Sequence, residues 1–579
     1  MLIVLFFCHS LFSQTIPSIE VKETKLEKYS KPGLIKIEGE KLTNALELKD
    51  VLLDQSGLTI NQNGALGGST FLYTRGTDAK HTLVLWNGVR LNDPSLTERQ
   101  FDGAMIRPFF IEKILFKKQP EPVLYGGDAL GGVMEFIPKF SSPHLFEVNF
   151  SYGSFNTTQT ELLGSINQSS VSALYGVSRF KTMGISRLNK KRFNAKEADG
   201  TEKNQANVQL EKKFKTSKLQ LMAEVKEIRS DQDLTTSDTK KDHSKVESQL
   251  ASLKYMTEFK DYLISLQPSL QRIQRSYEST GFTQKPIQGE NVQADLFIEN
   301  DDTISGVGYW GEEYLEINKE TNRLFYLMHK FKVDLNSVKI KPGLRYDYHE
   351  RYYSFITPEV SLEKDFDHGL IFAKMTRGYK PPTLYQLYAP ALLGSPVGNE
   401  KLNPEKGNYQ EIGFKINTPI EFEASLFQNH LDNLIQYSAT EGYQNSGNVR
   451  IQGADLSVRK EIYSKNYHRF GSTFLNFKEE KEKILRRPYF NHQISLESQY
   501  SDSFSSLFMY RLIGARKDLF NQNIVKLNPY QVLDVKGILK TKNLVYHLSV
   551  ENILNREYED IYGYSTMPMS INLGLSFRI

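Results

Sequence analysis

The final ten residues of the chain alternate without a break. Ile571, Leu573, Leu575, Phe577 and Ile579 are interleaved with Ser570, Asn572, Gly574, Ser576 and Arg578. The same period of two recurs earlier. Phe146, Val148, Phe150 and Tyr152 alternate with Glu147, Asn149 and Ser151, and Val171, Ala173, Tyr175 and Val177 with Ser170, Ser172 and Ser178. Leu219, Leu221, Ala223 and Val225 alternate with Gln220, Glu224 and Lys226, and Val338, Ile340, Leu344, Tyr346 and Tyr348 with Lys339, Lys341, Arg345 and Asp347. Successive side chains of a strand face opposite ways, so each segment is a strand with one apolar and one polar side. Strand pattern of this kind fills almost all of residues 141–579.

Alternation does not say which face is inside. A soluble sandwich hides its apolar faces between two sheets, whereas a transmembrane barrel turns them to lipid and keeps a wet, polar lumen. Three features favour the barrel. The segment "MLIVLFFCHSLFSQ" reads as an export signal, residues 1–14, although it lacks a basic start. A single soluble core seldom grows beyond about 250–300 residues, while a barrel wall keeps adding strands. A terminal strand also ends the chain. No apolar run reaches the roughly 18–20 residues of a membrane helix. At roughly 20 residues per strand and connection, the segment holds about 22 antiparallel strands. The polar inserts at 186–206, 229–245 and 274–291 are expected on one rim, and short turns such as Asn543 or Asp367-His368-Gly369 on the other.

A barrel this wide leaks unless it is filled. Residues 31–140 differ in character from the wall. The stretch 44–57 reads as a helix capped by Asn44 and ended by Gly57, followed by short strands in "STFLYTRG", "HTLVLWNGVRL", "IEKILFKKQ" and "VMEFIPK". This is a compact α+β domain, the natural plug.

Several chemistries are excluded. Lys plus Arg number 72 against 68 Asp plus Glu, a net charge of +4, which gives no basic surface for nucleic acid. The one cysteine, Cys8, lies in the export segment, so the rest of the chain has neither disulfide nor thiolate site. The glycine-rich "LYGGDALGGVMEFIPK" lacks the Lys-Ser/Thr of a phosphate loop and the spacing of a dinucleotide fingerprint. His81, His243, His329, His349, His430 and His492 are scattered, with no metal or triad spacing. Binding and transport are favoured over an enzyme. The alternative class is a soluble exported β-rich hydrolase.

Four motifs in order carry a family resemblance. They are "YTRGTDAKHTLVLWNGVRLNDPS" (73–95), "LYGGDALGGVMEFIPK" (124–139), "RGYKPPTLYQLY" with "GNEKLNPEKGNYQEIGFK" (377–415), and "VENILNREYEDIYGY" (550–564). Nearly end to end the chain resembles a TonB-dependent outer-membrane receptor, most like the cobalamin-receptor branch, with siderophore receptors close behind. It departs from the pattern at Lys118-Gln119-Pro120, at Met567-Pro568-Met569-Ser570, and at Ile579, where an aromatic usually ends the chain. Heme receptors of this type carry a His that "APALLGSPVG" (389–398) lacks.

The resemblance implies a plug in a monomeric barrel in outer-membrane lipid, no covalent chemistry, and uptake of cobalamin or a ferric siderophore. It implies a TonB-type energy-transducing partner engaged by a box at Ser18, Ile19, Glu20, Val21, Lys22 and Glu23, within a linker of 15–30. Such an extended segment pairs with a partner sheet edge. Arg75, followed by Gly76, is expected to face wall carboxylates, because a buried unpaired charge is costly. Gly126, Gly131 and Gly132 belong to the plug's closing motif. Ligand contacts are expected from two plug apices, Asn61, Gln62, Asn63 and Leu66, and Asn92, Asp93, Pro94 and Ser95. No cofactor is required. Asp231, Asp233, Asp238 and Asp242 offer hard oxygens for calcium in an extracellular loop.

Overall fold

A computed structural model describes residues 24–30, 32–64, 66–140, 145–233, 242–279, 282–283, 286–315, 321–391, 395–463, 465–480 and 484–579. From the strand Phe146–Gly153 to the strand Ser570–Arg578, the chain forms one closed antiparallel barrel. Two of its segments, Phe282–Thr283 and Val333–Leu335, only extend neighbouring hairpins, which leaves 22 wall strands. The last strand closes the ring, with Leu573 opposite Leu548 on one side and Tyr152 on the other.

Exposure settles which face is inside. In the strand Ser217–Asp231, Leu221 is 42% and Val225 52% exposed, while Gln220, Glu224 and Lys226 are buried. The apolar side therefore faces outward and the polar side inward, the inverse of a soluble core and the arrangement lipid requires. Short turns, such as the one joining Tyr353–Phe366 to Gly369–Lys380, lie on the rim that carries Phe146 and Ile579, which is the periplasmic rim. The long connections lie on the extracellular rim. Strands rise further into them than the sequence suggested: residues 201–206, 229–231, 243–245, 274–279 and 287–291 are all strand.

The lumen is filled by the N-terminal domain. Its sheet has the order β1 (Leu34–Glu38), β6 (Ile111–Lys117), β7 (Gly132–Pro138), β4 (Thr82–Trp86), β5 (Val89–Arg90), with β4 and β7 parallel. A separate hairpin pairs β2 (Leu58–Gln62) with β3 (Thr70–Thr74). Every residue of β4 is buried, as expected of a strand covered on both faces. The four short strands read from the sequence are all present. The helix over 44–57 is not. The segment holds one single turn, α3 (Lys49–Leu52), preceded by the turns α1 (Lys25–Tyr29) and α2 (Glu40–Thr43). Asn44 ends α2 instead of starting a helix, and the side chains needed for a longer one are engaged elsewhere. Glu47 accepts from Gly67 N at 2.7 Å and from Gln62 Nε2 at 2.9 Å, and Asp50 turns back to accept from Glu47 N at 2.9 Å.

Candidate functional site: a corked extracellular face

The plug meets the extracellular space at the turn 63–69 and the segment 91–100. Seven of the eight apex residues expected to touch ligand are buried there, and Asn63 is half-buried. Asn92 accepts from Val84 N at 2.9 Å and donates to Thr82 O and Arg99 O. Asp93 caps Ser95 N at 2.8 Å and takes the Arg275 guanidinium of the wall, its Nε at 3.1 Å. Pro94 packs beside Gly289. Asn61 donates to Arg486 O at 3.2 Å, Gln62 serves Glu47, and Leu66 clusters with Phe180 and Met567. These contacts hold the two apices in shape. The half-buried residues beside them are Ser69, Leu96, Thr97, Glu98 and Gln100. Above Thr97 stands the helical turn Leu384–Tyr388, whose N-cap Thr383 donates to Thr97 O at 2.7 Å. Tyr385, Tyr437 and Tyr443 form a ring contact series over this face. Nothing in the Gly-Asn-Pro composition of the turns separates a residue that faces outward from one that holds the turn.

Below the apices, Arg75 spans the gap to the wall. It is 3% exposed and sits at φ 48°, directly before Gly76 at φ 81°. Its Nη1 donates to Glu411 Oε1 at 2.9 Å and Tyr409 Oη at 2.6 Å, and its Nη2 to Ser425 Oγ at 3.0 Å and Asp455 Oδ2 at 3.3 Å. The guanidinium also lies 4.5 Å over the Phe427 ring. Lys118 pairs with the same Asp455 and Gln119 with the same Glu411, so the departure at Lys118-Gln119 is part of this clamp.

The glycine stretch forms the second clamp. Gly126 has φ 81°, and a Cβ on Gly132 would lie 2.7 Å from Lys117 O in the neighbouring strand. A Cβ on Gly131 would strike Thr77 Oγ1, and one on Gly127 would strike Tyr379 O of the wall. The glycines therefore allow close packing within the plug and against the barrel. Between them, Asp128 takes Arg90 Nη1 at 3.1 Å, Arg99 Nη2 at 3.0 Å and Lys380 of the wall. Burial alone would raise this carboxyl, but the three cations hold it far below the usual carboxylate range.

Of the three described aspartates among the four expected for calcium, only Asp233 joins a carboxylate group. Its ligand oxygens lie within 4.8 Å of those of Glu197 and Asp199. Asp231 instead takes His243 Nδ1 at 2.9 Å and Gly200 N at 2.8 Å. Asp242 is not part of the group, and Asp238 lies outside the described residues. The signal for the two missed residues was Glu197-x-Asp199, which folds back from a different loop onto Asp233. Asp199 is 2% exposed and its Oδ1 has no hydrogen-bond partner. Burial, reinforced by the Asp233 charge, pushes the Asp199 carboxyl up to about 7.

On the periplasmic side, α1 is capped by Thr24, whose side chain accepts from Glu27 N while Glu27 answers with Thr24 N at 2.9 Å. Tyr29 Oη reaches Asn300 O at 2.5 Å and Thr303 O at 2.9 Å in a periplasmic turn. Burial would raise the Glu27 carboxyl, but Lys36, the Thr24 backbone and Lys113 hold it at about 2. The box residues Ser18–Glu23 immediately before α1 lie outside the described residues.

A 22-stranded, lipid-facing barrel corked by a separate domain, with long connections on one rim and an anchored N-terminal segment at the other, defines a plugged outer-membrane receptor of bacteria. Two family models match: "TonB-dependent Receptor Plug Domain" over residues 36–133 and "TonB dependent receptor-like, beta-barrel" over residues 143–553. The chain belongs to the TonB-dependent receptor family. It is 23% identical over 577 residues to a vitamin B12 transporter, BtuB, of Vibrio cholerae, covering 93% of this chain and 90% of that one. In fold it is similar to the siderophore receptor PirA of Acinetobacter baumannii, with TM-score 0.82 and 14% identity over 96% of this chain and 99% of that one. A mutant of the ferric enterobactin receptor PfeA of Pseudomonas aeruginosa gives TM-score 0.79 and 15% identity over 96% of this chain and 99% of that one.

Proposed function

We propose that the protein imports a scarce, bulky nutrient across the outer membrane, that the nutrient is a cobalamin, and that a TonB-type protein supplies the energy. The observation that carries this reading is the pair of buried ionic clamps, Arg75 to Glu411 and Asp455, and Asp128 to Lys380. Separating plug from wall would leave these buried charges without their partners, which is costly, so passage of a large solute calls for work done on the plug. Cobalamin is favoured by the near full-length match to vitamin B12 transporters. The group Glu197, Asp199 and Asp233 supports calcium as an ordering ion for the extracellular loops, since three hard carboxylates and one unsatisfied buried oxygen suit that cation. The second reading, a ferric siderophore, is favoured by the solved structures that share the fold.

Purified protein titrated with cyanocobalamin and with ferric enterobactin separates the two. Saturable binding of cyanocobalamin alone is expected, and binding of the siderophore alone would overturn the assignment. Deleting residues 17–23, which spares the Thr24 cap, is expected to abolish uptake while leaving binding intact. Uptake that persists would sink the box at Ser18–Glu23.

A further inference from the structure

The outward face of the wall changes character towards its extracellular end. Five consecutive strands, Gly369–Lys380, Glu405–Ile416, Ile420–Ser438, Gly442–Tyr463 and Asn466–Glu480, carry three successive rows there. In the lowest row Ala373, Ile412, Leu426, Ala454 and Phe474 stand side by side in register. Ile412, Leu426 and Phe474 are more than half exposed. Two residues higher come Met375, Gln410, Gln428, Gln452 and Asn476. Two higher again come Arg377, Asn408, His430, Arg450 and Lys478. The period of two puts all three rows on the lipid side.

The top row is cationic and unneutralised. Arg377, Arg450 and Lys478 are exposed, and among the described residues none of them has an ion pair. His430 Nε2 lies 2.9 Å from Asp432, and its Nδ1 has no hydrogen-bond partner. Other sectors of the rim differ. On the strands from Val171–Thr182 to Ile287–Glu299 the outward cations are matched by glutamates. Arg179 holds Glu202 at 2.9 Å, Arg229 holds Glu227 at 3.1 Å, Lys245 holds Glu247 at 2.7 Å and Arg272 holds Glu290 at 2.6 Å. Lys181 stands opposite the same Glu202. Arg323 is single on the strand Thr321–Phe331. The strands from Phe490–Gln499 through the seam to Thr157–Gln168 bear no outward lysine or arginine in their extracellular halves.

Reading upward, the patch offers hydrocarbon, then amides, then free cations. A membrane lipid presents the complementary order: acyl chain, carbonyl or hydroxyl linkage, phosphate. Arginine and lysine form their strong charge-assisted hydrogen bonds with phosphate oxygens. With neighbouring strands about 4.8 Å apart, the cation row spans roughly 19 Å, room for a headgroup with more than one phosphate. We propose that this face binds a phosphorylated lipid of the outer leaflet, its phosphates on Arg377, Arg450 and Lys478 and its acyl chains along Ile412, Leu426 and Phe474. The patch is continuous with the lipid-facing wall and lies outside the lumen, so it does not depend on which nutrient is carried.

The test is native mass spectrometry of the purified full-length protein titrated with lipid A, a doubly phosphorylated acylated sugar, with the same lipid after dephosphorylation, and with inorganic phosphate. Tight binding of lipid A alone is expected. Arg377→Gln/Arg450→Gln/Lys478→Gln is expected to bind it roughly 100-fold more weakly, and Arg179→Gln/Arg229→Gln/Arg272→Gln to bind it as the wild type does. Undiminished binding by the first variant, an equal loss in the second, or equal binding of the dephosphorylated lipid overturns the site. Displacement of lipid A by millimolar inorganic phosphate would show a free-anion site and overturns the lipid. A photocrosslinker introduced by Gln452→benzoylphenylalanine reads the patch in cells with every cation in place. Its yield of phosphorylated-lipid adduct is expected to exceed that of Asn204→benzoylphenylalanine several-fold. Equal yields, or crosslinks to a protein in place of lipid, overturn the proposal.

Discussion

Arg75 of the plug and Glu411 of the wall, 336 residues apart in the chain, form a 2.9 Å ion pair with both side chains almost wholly out of water. The pair joins the two parts of the molecule where neither charge has an alternative partner in solvent. Removing Arg75 leaves Glu411 and Asp455 buried with one cation fewer. Arg75→Ala is expected to cost about 3–5 kcal/mol of plug attachment, as breaking a buried pair from one side does. Urea titration followed by hydrogen exchange at β2–β3 reads this directly. Arg75→Lys is expected to rescue little, because an ammonium cannot serve four acceptors in a fork and stack on Phe427. Wild-type protection in either variant would show that the clamp holds nothing.

Tyr29→Phe tests the periplasmic anchor. The hydroxyl's contacts with Asn300 O and Thr303 O are the hydrogen bonds from this side chain to the rim. Their loss is expected to release about 0.5–1.5 kcal/mol, and to speed protease cleavage before Thr24 without changing ligand affinity. An unchanged cleavage rate would place the anchoring elsewhere.

The carboxylates Glu197, Asp199 and Asp233 predict a pH-dependent calcium effect. Burial and the Asp233 charge push the Asp199 carboxyl up to about 7, above its unfolded value. A raised carboxylate favours the folded state at low pH, and that contribution is lost as pH rises from the unfolded value of about 4 through 7. A cation needs the ionised form, so its stabilisation grows over the same range. Thermal melts with and without calcium are expected to differ more at pH 8 than at pH 6. In Asp199→Asn the pH dependence of that difference is expected to vanish. A calcium shift that is the same at both pH values would count against the site.

The outward face of the wall predicts an assembly defect. Leu327→Lys puts a charge among lipid-facing side chains. The expected penalty is about 2–4 kcal/mol at mid-bilayer, falling to about 0–1 near the rims. Reduced heat-resistant barrel on an unboiled gel is the readout. Full recovery of folded protein would mean that Leu327 does not face hydrocarbon.

The wall was legible because period two survives any context: Ile571, Leu573 and Leu575 point to lipid whatever lies inside. The plug's strands were legible for the same reason. What the inner face meets was not. Asn92 and Asp93 sit in a turn that looks built for ligand, yet their polar groups are consumed by Val84, Ser95 and Arg275. Lys49 and Asp50 lie in a helical pattern that tertiary partners cut to one turn. Arg75 could be expected to need an acid, but Tyr409, Ser425 and Asp455 come from three consecutive wall strands, and no local pattern encodes which sector of the wall the plug's arginine faces. Glu197 and Asp199 reach Asp233 only through the fold of two rim connections.

The closing seam bears on biogenesis. Ser570–Arg578 is hydrogen-bonded to Leu544–Glu551 and to Phe146–Gly153 at once. Synthesis delivers the cork before this strand, so the container is completed only after its contents exist. A chain truncated before Ser570 would carry two unpaired strand edges, each free to recruit a neighbouring molecule. Quality control of such a protein therefore reduces to whether nine residues arrive at the seam.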